Sequence, residues 1–217
     1  MSDKRDDNIC VVCRHEYTSG SGGPGGGGGG GGGHKKWIFA IGRCDHWVCY
    51  ECCTRMRVLC QQNECPICRQ QLNEVVFTAD KQKKFDEFDL KKCLYHNNHG
   101  IHFEDDLALE SYGKLLEHPC RKCRGRQPLK SLHDLNTHLR KEHDLHLCDL
   151  CVKNLKLFTH EIKYYTRKEL VRHRKSGDPD ERSHRGHPIC TFCDERYVDD
   201  DDLHLHLRRE HFYCHFC

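Results

Sequence analysis

Eight residues between positions 10 and 69 have the types and spacing to hold metal: Cys10-x2-Cys13, Cys44-x-His46, Cys49-x2-Cys52 and Cys65-x2-Cys68. Thiolate and imidazole are favoured zinc donors, and a closed structural site takes four of them, most simply as two close pairs on tight knuckles. Four pairs make two such sites. The C-terminal half repeats the theme with Cys120-x2-Cys123 ahead of His138-x4-His143, Cys148-x2-Cys151 ahead of His173, and Cys190-x2-Cys193 ahead of His206-x4-His211. The middle set has an ambiguous last ligand. His184 and His187 both lie beyond Gly177-Asp178-Pro179, which must end the helix carrying His173, so the fourth donor arrives from a loop. His160, in the strand region before that helix, is a poorer candidate.

The composition explains why metal is needed. The chain has 217 residues, 36% hydrophobic and 31% charged, with a mean hydropathy of −0.83, so a large apolar core is not expected. Small modules of this kind fold on metals, disulfides or partners, and 18 Cys with 19 His are the supply. No apolar run follows the N-terminus and no stretch is long enough to span a bilayer, so neither a secretory signal nor a membrane partner is expected. In a reducing compartment paired Cys serve as ligands rather than disulfides. A thioredoxin-type dithiol would need a βαβ pattern around the C-x-x-C, and none surrounds these pairs. The net charge of +2 gives no global electrostatic case for nucleic acid.

The first eight ligands, seven Cys with one His in fourth place, resemble the RING finger; the related PHD finger places its His fifth. The resemblance implies a cross-brace in which Cys10, Cys13, Cys49 and Cys52 hold one zinc while Cys44, His46, Cys65 and Cys68 hold the other. It also implies a ligase without a covalent nucleophile, one that holds a ubiquitin-loaded conjugating enzyme (E2) in a reactive geometry. The family's E2 groove maps onto Val12 beside the second ligand, Met56 on the central helix, where Trp is common, and Pro66 between the last two Cys. Arg69, directly after the last ligand, matches the cation that bridges E2 and ubiquitin; its five-donor fork suits clamping carbonyls on two partners.

The elements that must position these residues can be read in order. Residues 1–9 form a tail. Residues 10–72 form the RING, interrupted by a Gly-rich insertion at 19–33 that is expected to be disordered, since nine consecutive Gly cannot hold a fixed backbone and lack the Lys-Ser/Thr of a phosphate loop. Trp37–Ile41 reads as a strand, and Glu51–Cys60 as the central helix, with Cys53 and Cys60 as small buried hydrophobes on its inner face. A strand from Asn73 to about Phe77 closes the RING. Residues 73–117 read as a connector. Within it, Cys93, His96, His99 and His102 are spaced too uniformly for two knuckles and read as a surface run leading to a strand at Phe103, and Leu107–Leu116 has helical spacing.

The C-terminal half reads as C2H2 fingers: finger 1 over 118–145, an atypical finger 2 over 146–188 and finger 3 over 189–212. Cys214-x2-Cys217 is the start of a further finger at 213–217, so the chain is expected to be a fragment. Four residues separate His143 from Cys148 and two separate His211 from Cys214, too few for fingers that track a DNA groove. Asp199–Asp202 at the last helix start would repel phosphate, although it suits that terminus locally. Sequence-specific DNA is therefore not expected, and protein or structured RNA is, with Arg121, Lys122, Arg124, Arg126, Arg208 and Arg209 as candidate cations.

The RING motif Cys49-Tyr-Glu-Cys52, the Met56–Cys60 run, Ser183-His-Arg-Gly-His-Pro188 and Cys190-Thr-Phe-Cys-Asp-Glu-Arg-Tyr197 together resemble the RING and C2H2 ubiquitin ligases that sense collided ribosomes. The resemblance implies a cytoplasmic ligase that ubiquitinates small-subunit ribosomal proteins on stalled ribosomes, with E2, ubiquitin, the small subunit and ribosomal RNA as partners and zinc as cofactor. Its Gly-His-Pro triplet favours His187 over His184. The expected fold class is a set of small zinc-stabilised α+β modules, a cross-brace RING followed by ββα fingers. The alternatives are a zinc-finger transcription regulator and a RING scaffold without catalysis.

Overall fold

The computed structural model describes residues 8–17, 37–96, 98–181 and 184–211. The glycine run and the Cys214–Cys217 pair lie outside them. The chain divides into two compact units, Met1–Leu115 and Leu116–Cys217.

The first unit is built on a five-stranded sheet in the order β2-β1-β3-β5-β4, formed by β1 (Phe39–Gly42), β2 (Trp47–Cys49), β3 (Val75–Thr78), β4 (Leu94–His96) and β5 (Ile101–Phe103). All pairings are antiparallel except β3 with β5. Strand β3 reads Val-Val-Phe-Thr and is buried throughout, as a central strand covered on both faces must be. Ile41 and Val76 face Phe85 and Phe88, and beside them Phe39 and Trp47 meet edge to face at 5.1 Å. On the opposite face Phe77 meets Phe103 and Tyr112 at 5.5 and 6.2 Å. Tyr112 comes from helix α2 (Asp106–Leu116). Most of the connector expected at 73–117 thus belongs to the RING's own unit, which runs to Leu115. The central helix is also less regular than its spacing suggests: α1 (Tyr50–Thr54) passes into a π-helical turn at Arg55–Leu59.

The second unit carries α3 (Leu132–His143), α4 (Asp149–Asn154), α5 (Arg167–Ser176) and α6 (Asp200–Glu210). Ser131, Thr166 and Asp199 cap α3, α5 and α6 by accepting from the backbone three residues on, which satisfies donors the first turn leaves free. The expected ββ hairpins shrink to single bridges, His118↔Leu129, His146↔Tyr165 and Ile189↔Arg196. Finger 2 departs further, because its second Cys sits in α4 instead of on a hairpin knuckle. Fingers 1 and 2 share one core: Leu135 and Leu139 of α3 pack with Leu147 and Ile162, and Val152, Leu157 and Tyr164 close over them.

Candidate metal centres

Three knuckles share one backbone form. Arg14, Arg69 and Asp194, each directly after a second Cys, have φ of 60, 62 and 61°, and their N–H groups donate to the carbonyls of Cys10, Cys65 and Cys190 at 2.8, 2.8 and 2.9 Å. A left-handed residue is uncommon outside Gly; here it turns the chain so that both thiols of a pair face one point.

Five sets of four donors result: Cys10, Cys13, Cys49 and Cys52; Cys44, His46, Cys65 and Cys68; Cys120, Cys123, His138 and His143; Cys148, Cys151, His173 and His187; Cys190, Cys193, His206 and His211. Within each set all ligand atoms lie within 4.8 Å of one another. A tetrahedral zinc requires about 3.8 Å between two thiolates, about 3.5 Å between thiolate and imidazole, and about 3.3 Å between two imidazoles. The Sγ atoms of Cys13 and Cys49 stand 3.8 Å apart. In the three fingers, Sγ–Nε2 separations run from 3.2 Å at Cys123–His143 to 3.5 Å at Cys120–His143 and Cys190–His211. The Nε2 atoms of His173 and His187 are 3.2 Å apart, and those of His206 and His211 are 3.1 Å apart. His46 differs, turning Nδ1 to Cys65 at 3.8 Å. The donor sets fit zinc, and the first two interleave along the chain as a cross-brace does.

The thiols behave as charge-sharing groups. Bonds from Cys49 and then Cys52 pull the Cys10 thiol far down, and the bond to Cys10 pushes Cys49 up to about 12. Cys148 is pulled down to about 2, first by Cys151 and then by His187 against the opposing effect of burial. Such packed sulfurs hold negative charge that a divalent cation neutralises.

In finger 2 the structure brings His187 to the donor set and leaves His184 outside it. His184 stacks on His173 at 4.5 Å, and its Nδ1 accepts from the Gly186 N–H at 3.2 Å. The two finger-2 imidazoles are oriented from behind, His173 Nδ1 donating to Asp178 Oδ1 at 3.1 Å and His187 Nδ1 to the Val198 carbonyl at 3.2 Å. Such outer partners fix tautomer and ring direction. Asp178 also accepts from the Tyr165 hydroxyl at 2.9 Å. Burial opposes its ionisation, but Tyr165, His173 and Lys163 outweigh that and hold the carboxyl below its usual range.

The remaining sequence candidates fall as follows. Met56 and Pro66 line one water-sized crevice with the buried Leu72, Val48 and Arg57. Val12 is exposed on the first knuckle and is not among that crevice's lining residues. Arg69 is exposed on the knuckle that also carries Pro66. Cys53 is buried as expected, whereas Cys60 is only partly covered. The run from Cys93 to His102 forms the β4–β5 hairpin, and among the described residues no donor group of three or more includes it. It is not a surface run throughout, since His102 is buried, with Nε2 3.2 Å from Glu74. Arg121 is already engaged: it donates to the carbonyls of His160, at 2.9 Å, and Ile162, and lies 4.5 Å over the Tyr164 ring. Arg126 stands 3.2 Å from Nδ1 of His138.

Two residues escaped the sequence reading. In the sequence Asp178 signals only the end of a helix. Arg57 is 5% exposed, and the one signal for it is its place four residues after Cys53 on the inward face of the helix.

Known proteins bear on these centres. The family model described as the ZNF598 RING finger domain matches residues 34–114, a span that runs past the last RING ligand and takes in β3, β4, β5 and most of α2. The mouse protein named E3 ubiquitin-protein ligase ZNF598 is 50% identical over 178 residues, 82% of this chain and 20% of its own length. The Schizosaccharomyces pombe protein named E3 ubiquitin-protein ligase hel2 is 34% identical over 179 residues, 80% of this chain and 24% of its own. The Saccharomyces cerevisiae HEL2 protein of the same description is 28% identical over 219 residues, 98% of this chain and 30% of its own. The chain therefore spans less than a third of each relative. With a RING that matches the ZNF598 family model and fingers that align with the same relatives, the chain belongs to the ZNF598/Hel2 family of RING and C2H2 zinc-finger proteins.

Proposed function

We propose that the chain is a RING-type E3 ubiquitin transferase whose RING recruits a ubiquitin-loaded E2 and whose fingers direct it to ribosomes. One observation carries the catalytic half: a cross-brace with two sets of zinc donors presents a half-buried Met56, an exposed Pro66 and an exposed Arg69 from the same module. Zinc supplies the fixed scaffold. The chain's own residues supply the chemistry, which is orientation: the surface at Met56 and Pro66 meets an E2 loop, and the Arg69 fork holds carbonyls of E2 and ubiquitin so that the thioester meets an incoming lysine amine. Met56 makes a smaller anchor than Trp, and Val12, outside the crevice, adds an apolar contact at its own knuckle.

The substrates in this reading are small-subunit ribosomal proteins on stalled or collided ribosomes in the cytoplasm, and their modification triggers ribosome-associated quality control. Family membership supports it, as do the exposed Lys122 and Arg124 on finger 1 and Arg208 and Arg209 on α6, which suit ribosomal RNA or protein.

Single-turnover discharge of ubiquitin from a loaded E2 onto free lysine tests the catalytic half. Arg69→Ala should slow it about tenfold or more, a loss of about 1.4 kcal/mol of transition-state stabilisation, with zinc content unchanged. Equal rates for the two chains would remove the mechanism. Ubiquitination of purified collided ribosomes in preference to monosomes tests the substrate.

A further inference from the structure

We infer that Arg57 is a positioning residue for Met56, the E2 anchor on the central helix, and that it makes residues 72–100 a working part of E2 recognition; this rests on the ligase reading above. The guanidinium has three main-chain partners. Nε donates to the His99 carbonyl at 2.8 Å, and the two terminal nitrogens donate to Leu72 and Asn73 at 2.7 Å each. One side chain thereby ties the central RING helix to the chain leaving the last knuckle and to the tip of the β4–β5 hairpin. Burial disfavours its charge, so the three short bonds are what hold the guanidinium there, and a planar fork is the group that reaches three carbonyls at once.

The place where it acts is beside the Met56 anchor. Arg57 directly follows Met56, and both line the crevice with Pro66 and Leu72. The helix is at its least regular there, since the Cys60 N–H reaches back five residues to the Arg55 carbonyl at 2.9 Å. Wide turns of that kind are rare and concentrate at functional sites. The Arg57 clip adds three ties to that turn, next to the Met56 anchor.

The hairpin tip closes tightly on the clip. Gly100 has φ of +61°, and a Cβ there would meet the Asn73 carbonyl oxygen at 2.0 Å and an Arg57 terminal nitrogen at 2.9 Å. The same Gly100 carbonyl accepts from the Val75 N–H at 3.0 Å. The clip can therefore be opened from two sides, by Arg57→Lys, which keeps the charge but loses the fork, and by Gly100→Ala, which leaves Arg57 in place.

Met56 is one of two methionines, the other being Met1, so its labelled methyl reports on the crevice directly. With the full chain, E2 affinity, discharge at saturating E2, zinc content and the Met56 methyl resonance are measured together. Each variant should weaken E2 binding about tenfold, move the Met56 methyl, and leave zinc content and the saturating rate within about twofold. The double variant should bind no worse than the weaker single, because both open one clip. Unchanged affinity with an unmoved methyl overturns the inference, as does weakening that comes only with loss of zinc, which makes Arg57 merely structural. A wild-type chain that neither binds E2 nor speeds discharge overturns the ligase reading, and this inference with it; that result is visible without any variant.

Discussion

The two units solve one problem, a chain short of apolar residues, in different ways. The first wraps two donor sets around a five-stranded sheet, with Phe77, Phe103, Ile41 and Val76 almost wholly buried. The second has three donor sets, single bridges in place of strands and a core centred on Leu135 and Leu139. In the first, metal shapes the surface of something that has its own core; in the second, metal is most of the core. The difference suits the proposed roles. A RING must hold a crevice and a cation in fixed geometry, whereas fingers need only present side chains from short helices.

Metal removal tests that contrast most severely. Structural zinc in finger peptides is worth about 10–16 kcal/mol of apparent folding free energy, as much as the whole stability of a typical domain. Chelation should therefore abolish α3, α5 and α6, while amides of β1, β3 and β5 keep measurable protection. Hydrogen exchange read residue by residue checks this. Loss of protection at Phe77 and Ile101 together with that of the finger helices would show that the sheet is no more independent of zinc than the fingers are.

The same contrast explains what was legible in the sequence. Ligand pairs are local, so Cys-x2-Cys spacing revealed nearly every donor. The strand at Val75–Thr78 was legible as a short apolar run after the last RING ligand, and the helix at Asp106–Leu116 by its own periodicity. Pairing β3 in parallel with β5 joins residues about 26 apart, Val75 with Ile101, and nothing local announces it; both strands were visible but their pairing was not. Arg57 hid for the same reason, its acceptors lying 15, 16 and 42 residues away. His187 against His184 was a choice between two loop residues three apart, settled in space by the Gly177 and Gly186 turns. Gly177 has φ of +80°, and a Cβ there would strike the His184 carbonyl oxygen at 1.7 Å, so the helix end folds back closely enough to seat His187.

A smaller effect sharpens the comparison within the fingers. Among the described residues, only finger 2 orients a ligating imidazole with a buried carboxylate, Asp178 on His173, and its second Cys sits in a helix. The carboxylate compensates for a site whose second Cys comes from α4 and whose last ligand comes from a loop. Asp178→Asn keeps the size but loses the charge, and should weaken zinc at that site alone by about 10–100-fold. Competition with a chromophoric chelator, resolved by His173 and His206 ring resonances, reads it. Equal weakening at finger 3 would mean a general loss of stability.

The smallest effect concerns finger 1, where a cation and a clip look alike in sequence. Arg121, Lys122 and Arg124 are all exposed, yet Arg121 alone donates to finger 2 carbonyls and covers Tyr164. Hydrogen bonds of this kind contribute about 0.5–1.5 kcal/mol each and an exposed cation–π contact about 0.5–1 kcal/mol, and solvent discounts both. Arg121→Ala should therefore cost about 1 kcal/mol of finger-unit stability, and Lys122→Ala and Arg124→Ala almost none. With structured RNA the order inverts. Each of Lys122→Ala and Arg124→Ala should flatten the salt dependence of binding by about one phosphate contact, while Arg121→Ala should leave the slope alone, because its donors already face carbonyls. A slope that falls with Arg121→Ala as steeply as with Lys122→Ala would mean that the clip opens on the RNA and that the fused fingers are less rigid than their shared core implies.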